Sequence, residues 1–349
     1  MKIGLALGAG AARGWAHIGI IKALEELGIK IDVVAGCSIG AYVGAAYASG
    51  KLDELETWAN TLTEWQVFGL LGVGFKRGGL ASGQKVFEKH KQEFCAATFE
   101  EMNIPFTAVA TDLYSGKEVV FNNGDINDAI QASCAIPALF APIEHEGRWL
   151  VDGAVVNPVP VNQCRQLGAD FVIAVNLSAD FRPQLIEHFE KEHQDNQKKT
   201  DQFLSKASGG FMKQWFSPDP KPNKVQAPGI MSVMSGSLEI LQARVTRSRL
   251  AGDPPDLLIE PQLRDVGLLE FHRAEELATN GRLAVERLAQ QISYQLNLEK
   301  NEEKIDVECR KNEAQTENKE SKESALEDDI EGNTQETNAQ ETKDESKDG

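Results

Sequence analysis

Val33-Val34-Ala35-Gly36-Cys37-Ser38-Ile39-Gly40-Ala41 decides how this chain is read. An apolar, β-branched run ends in Gly-x-Ser-x-Gly and passes directly into a segment, Ile39 to Ala48, built largely from Ala and Gly. A serine held on a sharp strand-to-helix turn needs neighbours with almost no side chain, and Gly36 and Gly40 meet that need. The stretch therefore predicts a nucleophile elbow. Free N–H groups and the positive end of the helix dipole at Ser38 would favour an oxyanion there.

Outward from the elbow the pattern is strand, helix, strand, helix. Ile3 to Leu7 reads as a central strand and Gly8-Ala9-Gly10-Ala11-Ala12-Arg13-Gly14 as a loop. An amphipathic helix follows from about Trp15 to Leu27, with Gly28 as its terminating residue. This is the start of a parallel βαβ fold, hence an α/β class. Further strands are expected over Phe106 to Thr111, Glu118 to Phe121, Trp149 to Val151, Phe171 to Leu177 and Leu257 to Glu260. Helices are expected over Ile126 to Ser133, Pro160 to Leu167, Ile230 to Leu250 and His272 to Leu298. Between 51 and 104 the helical pattern is broken by glycines around Leu70, Leu71, Val73 and Phe75, a piece suited to capping the site or facing substrate.

The 349 residues carry a net charge of −17. Residues 301 to 349 hold 17 acidic and 7 basic side chains, a net −10, which leaves −7 for the rest. No basic stripe marks a nucleic-acid partner. The five cysteines are scattered and never paired as Cys-x-x-Cys, so neither a disulfide framework nor a metal site is implied, and a reducing cytoplasm fits. No run reaches the roughly 18 apolar residues that a spanning helix needs, so any membrane contact would be peripheral, at the inner face. Residues 181–229 read as a mobile polar insertion, of which Lys198 to Phe216, with Phe203, Phe211, Trp215 and Phe216 among lysines, could lie on a lipid surface. Beyond 300 the acidic tail has too few apolar residues to fold.

A catalytic serine needs a base. The six histidines are poorly placed for one, since none follows a convincing strand in the usual order of serine, acid, histidine. Asp152 differs: it ends the strand Trp149 to Val151 and precedes Gly153 and Ala154. Two residues at strand ends of a parallel sheet can meet at one carboxyl edge.

Gly8 to Gly14, Gly36-Cys37-Ser38-Ile39-Gly40 and Asp152-Gly153-Ala154 together resemble the three motifs of the patatin-like phospholipases, with bacterial members related to neuropathy target esterase as the nearest likeness. The resemblance covers residues 1–180 and, through Ala251-Gly252-Asp253-Pro254-Pro255-Asp256, extends towards 300. It implies a three-layer α/β/α sandwich on a mostly parallel sheet, with 1–180 as catalytic core and 230–299 as a helical part of the same domain. It also implies a serine lipid acyl hydrolase of phospholipase or lysophospholipase type, with no cofactor and no metal. Ser38 would be the nucleophile and Asp152 the base, a dyad without histidine, acting on a lipid or small acyl ester. Backbone N–H groups of Gly10, Ala11 and Ile39 would form the oxyanion hole, and Arg13 resembles the basic residue of the loop. The family commonly writes glycines where Ala9, Ala11 and Ala12 stand, and alanine keeps the N–H but not the freedom for positive φ.

Two rivals remain. A dinucleotide-binding protein would begin similarly, but Arg13 stands where the third fingerprint glycine belongs, and no acid ends the second strand. A regulatory or adaptor protein on the same fold would act through the insertion and tail instead. Silence on both short-chain esters and lysophospholipids would favour it.

Overall fold

A computed structural model describes residues 1–76, 79–180 and 230–298. The readings of 181–229 as a mobile insertion with a lipid-facing stretch, and of 300–349 as a disordered tail, lie outside the described residues. The chain divides into a unit Met1–Leu288, which holds the sheet and the candidate site, and a second unit, Ala289–Gly349, which starts within the last helix.

The core is an eight-stranded sheet of β1 (Ile3–Leu7), β2 (Val33–Cys37), β5 (Phe106–Asp112), β6 (Glu118–Phe121), β7 (Ile143–His145), β8 (Arg148–Asp152), β9 (Phe171–Val175) and β10 (Leu257–Ile259). Its order is β10-β9-β1-β2-β5-β8-β7, with β6 also paired to β5. From β10 to β5 every neighbour is parallel, whereas β6, β7 and β8 are antiparallel additions. A small hairpin, β3 (Val73–Lys76) with β4 (Gly79–Ala81), stands apart.

The parallel strands are apolar throughout because both sheet faces are covered. On one face Ala6, Ala35 and Ala174 pack with Val161 and Cys164 of α7 (Val161–Gln166) and with Leu250 of α8 (Ile230–Gly252). On the other lie α1 (Ala16–Glu26), α2 (Ile39–Ala48) and α6 (Ile126–Ser133). Gly44 lets α2 approach Leu7, Val34 and Phe106 closely. This is the three-layer sandwich expected. The last helix, α9 (Ala274–Leu296), crosses α1 where Gly19 faces the Ala278 carbonyl and Gly281 that of Ala16.

The first helix starts within one residue of the expected Trp15, after a 3-10 turn, Ala11–Trp15, whose Gly14 is pressed against the Ile39 side chain. One reading is corrected: β8 is not a parallel strand. It runs antiparallel to β5, and this orientation is what forms the site.

Candidate active site

β2 and β8 share one edge of β5. Gly36 and Phe121 both pair with Ala108, so β2 and β6 lie on opposite sides of β5. Asp152 and Val119 both pair with Ala110, which puts β8 on the β2 side. The register runs on from Cys37 opposite Val109 to Asp152 opposite Ala110, so the two strands meet end to end. The hydroxyl of Ser38 donates to Oδ2 of Asp152 at 2.5 Å. Beneath the pair, Ala9, Cys37, Val109 and Ala154 form a small apolar cluster that joins the three motifs.

Ser38 has φ +56° and ψ −125°, a strained conformation for any residue with a Cβ. The strain is held by close contact: a Cβ on Gly36 would meet the backbone of Gly40 and Ala41 at 2.5 Å, and one on Gly40 would meet the Leu7 carbonyl oxygen at 2.1 Å. Gly153 is likewise pressed on the Val109 carbonyl. The strained serine is also fixed by a residue the sequence did not disclose. Its backbone N–H donates to Oγ of Ser133, the last residue of α6, at 2.9 Å.

Asp152 is 3% exposed. Its other oxygen, Oδ1, accepts from the Ala154 N–H at 2.8 Å, and its carbonyl accepts from the Thr111 hydroxyl at 2.9 Å. Burial raises its carboxyl from 3.8 to about 7, against the opposing pull of the Ser38 and Ala154 hydrogen bonds. A carboxylate tuned to neutrality can accept and return a proton near physiological pH.

The glycine-rich loop comes to the same place. Gly8 N–H donates to Val175, Ala9 N–H to Pro158, Ala12 N–H to Leu268 and Arg13 N–H to Gly10. The N–H groups of Gly10, Ala11 and Ile39 have no acceptor among the described residues, and so are free to donate to a ligand. Ser38 N–H is not, since Ser133 holds it. Ala11 takes φ +48°, so an alanine occupies the left-handed region that favours glycine.

No histidine among the described residues bonds to Ser38. His17 and His90 are buried, each with Nε2 at 2.8 Å from a carbonyl, of Gly8 and Tyr42 respectively, and burial lowers both to about 4. His272 faces Glu64. Cys37 is buried in the core behind the serine, and burial pushes its thiol well up, away from thiolate chemistry. Beside Ser38 opens an apolar cleft of about 620 Å³, counting the space open to solvent, with walls that include Trp15, Tyr42, Trp58, Leu71, Phe87 and Phe140. Part of its wall is α4 (Glu64–Leu71), through Val67, Leu70 and Leu71, so the glycine-broken region does face the site.

The patatin-like phospholipase family model matches residues 5–165. An uncharacterized NTE family protein of Mycobacterium tuberculosis is 34% identical over 321 residues, covering 80% of this chain and 89% of its own length. The chain therefore belongs to the patatin-like phospholipase family. Lysophospholipase NTE1 of Pyricularia oryzae is 27% identical over 299 residues, 80% of this chain but 18% of that protein. Among solved structures, the type III effector protein ExoU overlaps with a TM-score of 0.36 and 16% identity, over 83% of this chain and 53% of that one.

Proposed function

We propose that this protein is a serine lipid acyl hydrolase of phospholipase or lysophospholipase type. The observation that carries the reading is the 2.5 Å contact from Ser38 Oγ to Asp152 Oδ2 at the wall of an apolar cleft. Asp152 takes the serine proton as Oγ attacks the ester carbonyl carbon. The carbonyl oxygen gains negative charge and is held by the N–H groups of Gly10, Ala11 and Ile39; each such donor contributes roughly 10²–10³ in rate. Collapse breaks the ester bond, and the departing alcohol oxygen takes the proton from Asp152. Water then gives a proton to Asp152 and its hydroxide to the acyl carbon. Serine recovers its proton as the fatty acid leaves.

An acyl chain fits the cleft because its walls are almost entirely aromatic and aliphatic. A lysophospholipid substrate is supported by the names of the fungal relatives, of which this chain spans less than a fifth. Peripheral contact with lipid is supported by Trp65 and Phe68, 85% and 60% exposed on α4, the helix whose opposite side walls the cleft. No helix among the described residues is long and apolar enough to cross a membrane.

Hydrolysis of a short-chain p-nitrophenyl ester and of lysophosphatidylcholine by the wild type and Ser38→Ala tests this. Turnover by the wild type alone is expected; silence of the wild type on both would favour the adaptor reading.

A further inference from the structure

The turn that carries two of the three free donors is tied to the C-terminal part of the domain. Ala12 N–H donates to the Leu268 carbonyl at 3.0 Å, Arg13 Nε to the Val266 carbonyl at 2.9 Å, and Trp15 Nε1 to the Phe271 carbonyl at 3.0 Å. All three links reach one short segment of turns, residues 266–271. A fourth goes elsewhere: Arg13 Nη2 pairs with Oε1 of Glu239, on α8, at 3.2 Å.

That pair is nearly enclosed, with side chains 8% and 19% exposed. It is the one side-chain hydrogen bond or ion pair between α8 and the turn among the described residues. Packing does not explain an acid there, since α8 leaves Val233, Met234, Ile240 and Leu241 exposed while turning Glu239 inward. Burial raises the Glu239 carboxyl and Arg13 opposes the rise, so the ion pair works against its own desolvation.

We infer that Glu239 is a positioning residue: through Arg13 it fixes the strained turn so that the Gly10 and Ala11 N–H groups stay aimed beside Ser38. The inference rests on the hydrolase reading. Arg13 is two residues from Ala11, and its own N–H closes the turn on the Gly10 carbonyl at 3.2 Å. A non-glycine residue at positive φ persists only where its surroundings over-determine it. Arg13 is held on both sides, by Val266 through Nε and by Glu239 through Nη2, so its guanidinium cannot rotate without breaking one of the two. Losing the Glu239 side leaves the guanidinium on the Val266 contact alone and loosens the donors, and a displacement of about 1 Å in a reacting constellation costs up to about 10²-fold.

The experiment is Glu239→Gln in the full chain, with Glu239→Asp and Arg13→Met beside it. Three quantities are read: kcat and KM on a soluble short-chain ester, the rate of fluorophosphonate labelling of Ser38, and amide hydrogen exchange over residues 8–15. For Glu239→Gln we expect kcat and labelling rate to fall about tenfold or more with KM within about twofold. Exchange at Ala12 and Arg13, whose N–H groups are bonded to the Leu268 and Gly10 carbonyls, should rise, Glu239→Asp should recover part of the rate, and adding Glu239→Gln to Arg13→Met should cost nothing further. A folded Glu239→Gln protein with wild-type kcat and wild-type exchange would overturn the inference, as would a full further loss in the double variant. If Glu239→Gln does not fold, Glu239→Asp decides by the same readings. A wild type inactive on every ester would sink the hydrolase reading, while exchange over 8–15 would still decide whether Glu239 holds the turn.

Discussion

Asp152 reaches Ser38 because their strands occupy one edge of β5 in succession, Cys37 opposite Val109 and Asp152 opposite the next residue, Ala110. The 2.5 Å contact is set by backbone register, and the sequence separation of 114 positions is irrelevant to it. Each end is then locked: Ser38 N–H by Ser133, and Asp152 by Ala154 N–H and the Thr111 hydroxyl.

The raised Asp152 carboxyl predicts a pH profile. The base must be ionised to take the serine proton, so kcat/KM should rise tenfold per pH unit below about pH 7 and level off above it. A profile flat from pH 5 to 8 would contradict this.

Stability should run the other way. The folded state holds its proton up to about pH 7 and the unfolded chain only to 3.8, so the contribution is full below 3.8 and is lost as pH rises through 7. Asp152→Asn should therefore raise the melting midpoint little at pH 5 and more at pH 8, by the equivalent of about 1–3 kcal/mol. Thermal melts at the two pH values check it.

Gly40→Ala places a methyl 2.1 Å from the Leu7 carbonyl oxygen, which is backbone of a central strand and cannot give way. Loss of about 2–3 kcal/mol of stability is expected, with loss of Ser38 labelling, measured by urea titration.

Ser133→Ala leaves the buried Ser38 N–H without its acceptor, a cost of about 1–3 kcal/mol. The elbow should loosen and labelling of Ser38 should slow about tenfold without loss of the overall fold. Circular dichroism and labelling kinetics on the same sample separate the two effects.

Val67→Trp fills the cleft from α4 and should penalise long acyl chains. We expect kcat/KM on a long-chain ester to fall about 10-fold or more, with the short-chain value nearly kept.

Much of this was legible along the chain. The elbow, the helix from Ile39 to Ala48 and the small residues after Asp152 all follow from short-range steric need, and short-range need is what sequence records. The direction of β8 was not, because a strand of three to five apolar residues reads alike in a parallel or an antiparallel partner. Ser133 was hidden for a similar reason: a serine at a helix end is ordinary, and only the tertiary fold brings its hydroxyl to the Ser38 amide. The left-handed Ala11 contradicts the glycine rule for that position, and what holds it, Glu239 and Val266 through Arg13, lies more than two hundred residues downstream. His17 and His90 gave no partner because burial had committed each to a carbonyl elsewhere.

Ser38 as nucleophile and Asp152 as its base make separate demands on one labelling experiment. The wild type and Asp152→Asn are treated with a serine-directed fluorophosphonate and the adduct is located by mass spectrometry. A single adduct on Ser38 is expected in the wild type, with labelling slowed at least about 10²-fold in a folded Asp152→Asn protein. Labelling at another residue, or at an undiminished rate without the Asp152 carboxylate, would contradict the dyad.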